Sequence, residues 1–142
     1  MAIKYLSVDT STGAESWIDV APAVKIVRSF EALAAGDFVN LFLDGVSGVI
    51  NARKAVAGAS PYEAHGFVKV ASLITAPATV YQLGANDAVV AAVTPNANYF
   101  LSATPGVAGA ANTADANYVQ WLGYGEGAND ILFSPSLGVV VA

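Results

Sequence analysis

His65 is the only histidine in this chain of 142 residues, which has no cysteine. A Ser-His-Asp triad would therefore have to use His65 as its base, but the surrounding residues 63–67 (Glu-Ala-His-Gly-Phe) contain no nucleophile motif. We expect instead a histidine at the edge of a strand, hydrogen-bonded or solvated. A single histidine without cysteine also excludes multi-histidine and thiolate metal sites.

Carboxylates are the other candidates for chemistry. Asp37 with Asp44, or Asp115 with Glu126, would form an acid-base pair if folding brought them together, but nothing in the sequence indicates a tuned pKa. The oxygen-rich stretch 9–15 lacks the spacing of a calcium-binding loop. We therefore expect solvated turn acids, no enzymatic activity, no cofactor and no metal.

Composition predicts a packed protein with an apolar exterior. Hydrophobic residues make up 55% of the chain and charged residues 12%, about half the usual charged share. With 6 Lys and Arg against 11 Asp and Glu, the net charge of -5 argues against a nucleic-acid partner. No apolar run is long enough for a transmembrane helix, so we expect no membrane partner. An exterior with few charges usually meets another subunit.

Short β-branched or aromatic runs recur along the chain with turn residues between them, which predicts an all-β fold, a compact β-barrel or β-sandwich with an N-terminal extension. Helix is limited to a turn or two in 30–35 and 51–57, and 107–117 is expected to be an exposed loop. The candidate strands are 3–8, 17–20, 24–28, 38–43, 48–53, 66–70, 78–83, 88–93, 98–103, 118–124, 131–134 and 137–141.

The turns are specified more sharply than the strands. Asp44-Gly45 and Ser47-Gly48 offer positive φ and make 38–53 the best-defined hairpin. Thr94-Pro95-Asn96 and Thr104-Pro105-Gly106 each place proline at the second turn position and a residue that tolerates positive φ at the third. The glycines of 123–127 have no lysine and precede a strand, so they predict a bulged connection and not a phosphate-binding loop.

Aromatic residues on the predicted strands are expected in the core or in cross-strand pairs, with a carbohydrate-stacking platform as the alternative. These residues are Tyr81, Tyr99, Phe100, Tyr118, Trp121 and Phe133.

The sequence predicts that the first 23 residues form a separate unit. Residues 1–23 are predicted to be an arm or an edge strand, and 24–142 a single β domain. Tyr5, Trp17 and Ile18 flank a polar stretch, and we expect them to anchor the segment to another chain as interface residues.

Several segments between residues 30 and 135 resemble small β domains of tailed-phage virion proteins. The most specific is 94–106 (Thr-Pro-Asn-Ala-Asn-Tyr-Phe-Leu-Ser-Ala-Thr-Pro-Gly), in which Asn96 stands where glycine is expected. The remaining segments are Ala-Ala-Gly-Asp-Phe-Val at 34–39, His-Gly-Phe-Val at 65–68, Gln-Trp-Leu-Gly-Tyr at 120–124 and Asp-Ile-Leu-Phe at 130–133.

The resemblance implies a capsid decoration, or cement, protein that binds the outer head surface and stabilises it by protein-protein contacts. Its partners would be the major capsid protein and its own copies, as a homotrimer on the capsid exterior of the virion, after synthesis in the host cytoplasm. A tail-fibre or baseplate module and a carbohydrate-binding β module are the alternatives. A rigid body with few charges suits packing among identical neighbours in each structural role.

Overall fold

The computed structural model describes residues 3–8, 11–20, 23–58, 61–110, 118–136 and 138–140, with the backbone alone for 3–8, 15–20 and 139–140. Every regular element in these ranges is a β-strand, so the all-β prediction is confirmed. The helical turns predicted at 30–35 and 51–57 are wrong, because the first is an irregular connection and the second begins as a strand. Within the same ranges, no helix has the length and apolarity to span a membrane.

Fourteen strands occur in the described residues. They are β1 Ile3–Val8, β2 Glu15–Val20, β3 Val24–Ser29, β4 Phe38–Leu43, β5 Ile50–Lys54, β6 Gly66–Val68, β7 Pro77–Tyr81, β8 Gly84–Asn86, β9 Asn98–Leu101, β10 Ala108–Gly109, β11 Tyr118–Val119, β12 Trp121–Gly125, β13 Ile131–Phe133 and β14 Val139–Val140.

Five of the strands close into a barrel in the order β3-β5-β4-β6-β7. Four of its five pairings are antiparallel, and β3 pairs with β5 in parallel. That parallel pairing is short, because it joins only Arg28 to Asn51 and Ser29 to Ala52. β3 and β5 therefore close the barrel at the C-terminal end of β3, and the two strands are not paired with each other along the rest of β3.

The interior of the barrel is filled by aliphatic side chains. Few strands leave a narrow lumen, which suits alanine and valine better than aromatic residues. Opposite residues of an antiparallel pair share a face, and Leu41 and Ala52 both point inward. The buried members of this core are Leu33, Val39, Ala52, Val68, Ala78 and Val80.

A second sheet, in the order β10-β9-β12-β13-β8, packs on the outside of the barrel. Aromatic rings fill the space between them: Phe38 of β4 lies 6.4 Å from Phe67 of β6 and 5.7 Å from Phe133 of β13, measured between ring centroids. All three rings are buried. Of the six aromatics predicted for core or cross-strand positions, Phe133 and Tyr118 are buried in this core and Tyr81 and Tyr99 pack against it. Phe100 and Trp121 lie opposite each other on β9 and β12.

The leading segment forms a hairpin. β1 pairs with β2 along six residue pairs, from Ile3 opposite Val20 to Val8 opposite Glu15. In the described residues this sheet has two strands and shares none with the barrel. The predicted division into 1–23 and 24–142 stays a prediction.

The structure contains the predicted turns, with one difference at Gly45. The hairpin of 38–53 is present as β4–β5, with positive φ at Gly48 but not at Gly45. Asn96 and Gly106 have φ of 63° and 79°. Because the Val107 N–H donates to the Thr104 carbonyl, 104–107 has the features of a type II turn. A bulge lies between Trp121 and Gly123, just ahead of the predicted connection.

The strand predicted at 88–93 is wrong. The chain forms its strand earlier, as β8 at Gly84–Asn86, and runs on as an irregular connection. The backbone of 88–93 forms hydrogen bonds with the connection between β12 and β13 instead of with a strand. The Val93 N–H donates to the Ala128 carbonyl, and the Asn129 side-chain amide donates to the Val89 carbonyl. Part of the loop predicted at 107–117 is also a strand, β10, while 111–117 lies outside the described residues.

Candidate interaction site

Large apolar side chains collect at the end of the barrel where β3 and β5 meet. Val46 at the tip of the β4–β5 turn is 98% exposed and Ile26 of β3 is 75% exposed. In proteins generally, contiguous exposed apolar surface of this kind often belongs to interaction sites. We call this surface the closure patch: Ile26, Phe30, Leu43, Val46, Val49, Ile50, Leu73 and Ile74.

Two adjoining clefts cross the closure patch. The first, of about 430 Å³, separates Ile26 of β3 from Val49 and Ile50. The second, of about 380 Å³, runs between Phe30 and Ile74. Both are lined by Arg28 and Thr75, so they form one continuous depression. They exist because β3 and β5 pair at two positions and then diverge.

A buried amide lies at the floor of the second cleft. Asn51 is 2% exposed, and its Oδ1 atom has no hydrogen-bond partner within the described residues. An unpaired buried acceptor costs about 1–3 kcal/mol. Thr75 beside it has a φ of 67°, a conformation that strains a β-branched residue by about 1–3 kcal/mol. The fold thus keeps two unfavourable features in the depression.

Asp44 organises the turn that carries Val46. Its carboxylate accepts hydrogen bonds from the Ser47 hydroxyl at 2.6 Å and from the Val46 N–H at 3.1 Å. These two bonds, in that order, lower the pKa of Asp44, and the charge of Arg28 lowers it further. The carboxylate therefore fixes the turn while ionised. Asp37, which the sequence analysis considered as a possible pair with Asp44, accepts instead from the Ala34 N–H at 2.8 Å.

His65 is held by the main chain. Its Nδ1 atom lies 3.0 Å from the Leu41 nitrogen and 3.2 Å from the Leu41 carbonyl oxygen, so either tautomer has a backbone partner there. The Nε2 atom faces the Glu63 carboxylate at 3.9 Å. At 3.9 Å the Nε2 contact is longer than a hydrogen bond, so the bond to the backbone at Nδ1 is what positions the ring.

Side-chain hydrogen bonds connect the walls of the cleft beside His65, which has a volume of about 500 Å³. Gln120 accepts from the Ala64 N–H at 2.8 Å and donates to the Ala64 carbonyl at 3.0 Å. Glu63 accepts from the Gly138 N–H at 3.0 Å. Burial raises the pKa of Tyr118, and the neighbouring Glu63 carboxylate raises it further. These contacts fasten residues 63 and 64 to β11, to Gln120 and to Gly138, and we assign them a structural role.

Arg53 is stacked between two aromatic rings on the outer face of the barrel. Its guanidinium carbon lies 4.2 Å from the centroid of Phe42 and 3.4 Å from that of Tyr62. One face of Tyr62 is therefore covered by Arg53, which leaves less ring surface for stacking on a sugar.

The predicted interface residues lie on the hairpin. Tyr5 is opposite Ile18, and Trp17 is opposite Leu6. Their backbone is described and their side chains are not. Asp115 and residues 9 and 10 of the oxygen-rich stretch lie outside the described residues.

The closure patch was missed by the sequence interpretation. One signal was available: Val46 interrupts the turn sequence Asp44-Gly45-Val46-Ser47-Gly48, where polar residues are usual. We found no match to the chain among protein-family models, curated proteins or solved structures. The closure patch is the feature from which a function can be argued.

Proposed function

We propose that the protein is a capsid decoration protein of a tailed phage. It binds the outer head surface formed by the major capsid protein, contacts its own copies as a homotrimer, and stabilises the shell without a chemical reaction. The closure patch supports this proposal most directly. It presents apolar side chains on a rigid barrel end, and apolar surface of this kind is stabilised by burial against another protein.

The energetics favour a binding role for the patch. Burying a valine or isoleucine side chain that was fully exposed contributes about 1.5–3 kcal/mol. A few such side chains give a useful affinity, because every 1.4 kcal/mol changes a dissociation constant about tenfold. Many identical contacts on a symmetric shell add further avidity.

A particle-binding experiment tests the proposal. Purified protein is added to heads lacking it, from the phage that encodes the chain, and occupancy is measured by cosedimentation and electron microscopy. We expect Val46→Asp to weaken head binding about tenfold or more, because a charge replaces methyl groups that binding to the head would bury. Val90→Asp is the matched control, since Val90 is 87% exposed and lies outside the closure patch.

The outcomes separate the alternatives. Equal head binding by Val46→Asp and wild type would remove the closure patch from the interface. Binding to tails and not to heads would favour a tail-fibre or baseplate module. Absence of particle binding together with binding on a glycan array would favour a carbohydrate-binding module.

A further inference from the structure

We propose that the open edge of β3 binds β2 of a second copy of the chain, so that the β1–β2 hairpin of one subunit extends the barrel of the next. This inference rests on the self-association in the proposed function and names the two segments that would carry it. Strand addition of this kind gains main-chain hydrogen bonds and side-chain contacts together.

Part of the β5-facing edge of β3 pairs with no strand in the described residues. Bonds of Ser29 and Ala23 run toward the β7 side: the Ser29 N–H donates to the Ala76 carbonyl, and the Gln82 N–H donates to the Ala23 carbonyl. The Phe30 N–H faces β5 instead and donates to the Ala52 carbonyl. Because strand groups alternate, the N–H and C=O groups of Val24 and Ile26 face the β5 side. β5 pairs with β3 only at Arg28 and Ser29, so those groups meet no strand among the described residues.

No third strand pairs with the β1–β2 hairpin among the residues that the structure describes. A two-stranded hairpin is at best marginally stable in water, and a third strand is usually needed. β1 and β2 have six residues each, and neither pairs with another strand in the described part of the chain. The described residues of one molecule therefore include a strand edge without a paired strand and a hairpin without a third strand.

One antiparallel register matches the two sequences. Placing Trp17 opposite Ile26 puts Ile18 opposite Lys25. The added strand then ends before Arg28, which β5 already pairs. Trp17 with Ile26 is an aromatic–β-branched pair, a kind that stabilises adjacent strands. Ile26 lines the first cleft of the closure patch, so the added strand would lie along its edge.

The turn chemistry favours a second copy over the same chain. In that register Val20 lies opposite Ala23, so pairing within one chain leaves Ala21 and Pro22 as a two-residue hairpin loop. Such loops adopt primed turns, which need positive φ at the first central residue and favour glycine or asparagine there. An alanine followed by proline fits these turns poorly. The hairpin of another molecule meets no such constraint.

Cysteine cross-linking of the full chain tests the contact, since the natural sequence has no cysteine to interfere. Ile18→Cys with Lys25→Cys replaces one expected pair by another, and opposite residues in a sheet are within disulfide distance. After mild oxidation we expect disulfides between chains, seen as dimers and larger species on a non-reducing gel. Ile18→Cys with Val90→Cys is the control and should form at least tenfold less of the linked species.

Each result is decisive. An 18–25 disulfide within single chains would overturn the second copy, and a yield no higher than the control would overturn the contact itself. A second measurement uses sedimentation: Ile26→Lys should dissociate the oligomer, while Val90→Lys should leave it intact. An Ile26→Lys protein that sediments like wild type would also refute the hairpin exchange.

These results are separable from the proposed function. Head binding by Val46→Asp tests the decoration role, and hairpin cross-linking tests the exchange. Unchanged decoration with no cross-link between chains would retain the first proposal and remove the second.

Discussion

Alanine in place of Gly106 should be strongly destabilising, for two separable reasons. The φ of Gly106 is 79°, a region that costs an alanine about 1–2 kcal/mol. An added Cβ would also lie 2.8 Å from Oδ1 of Asp37. That carboxylate is held by the Ala34 N–H at 2.8 Å and lies 3.5 Å from the Lys54 ammonium. Displacing it would break a charged hydrogen bond, at about 1.5–3 kcal/mol.

The two costs of Gly106→Ala add to about 2.5–5 kcal/mol. Three other variants separate the backbone cost from the cost of displacing the Asp37 carboxylate. Gly45→Ala is the reference, because Gly45 has neither a positive φ nor an atom within 4 Å of the added Cβ. Gly48→Ala isolates the backbone contribution, since Gly48 has a φ of 67° and open space around it. Relative to the reference we expect a loss of about 1–2 kcal/mol. Gly106→Ala combined with Asp37→Ala should show a smaller cost of the glycine substitution than Gly106→Ala in the wild-type background.

Urea unfolding followed by tryptophan fluorescence measures these differences, and thermal unfolding checks them at about 4 °C per kcal/mol. If Gly106→Ala costs no more than Gly48→Ala, the contact with Asp37 is not a constraint. If Gly48→Ala matches Gly45→Ala, the argument from φ fails as well. Either result would refute the reasoning at a named step.

Two more substitutions test single side chains. The lowered pKa of Asp44 means that its ionised form stabilises the turn fully above the unfolded value of about 3.9 and that this contribution is lost as pH falls through the folded pKa. Asp44→Asn should therefore be less stable than wild type at neutral pH and lose less stability on acidification, as measured by unfolding between pH 7 and pH 2; parallel curves would contradict this. His65→Ala should cost about 1 kcal/mol, because one bond to Leu41 is lost from a ring that is 40% exposed. It should leave head occupancy unchanged, and loss of binding with the fold retained would point to a functional histidine.

Local chemistry was readable from the sequence. The β4–β5 hairpin follows from turn residues between two apolar runs, and the positive φ of Asn96 and Gly106 follows from their place after proline. The all-β class follows from many short runs of this kind. Each conclusion depends on interactions within a few residues, and sequence order preserves those interactions.

Where two segments are equally apolar, the tertiary structure decides which of them forms a strand. Residues 88–93 have the composition of a strand, yet β13 pairs with 84–86. Asn86 contributes to this outcome, because its buried side chain donates to the Gly36 carbonyl at 2.9 Å. A hydrogen bond across 50 positions leaves no periodic signal near either residue. For 51–57, the alanines allow helix or strand, and pairing with β4 selects the strand at Asn51 to Lys54.

The site depends on the same division. The sequence predicted an apolar exterior and interface residues on the leading segment, because composition and aromatic positions are visible without a fold. The closure patch was not visible, since it joins β3, the β4–β5 turn and the connection before β7. Those segments meet because β3 pairs in parallel with β5 at two positions and diverges beyond them. Strand order and the point of barrel closure are long-range pairings, and the tertiary structure alone decides which apolar side chains they leave exposed.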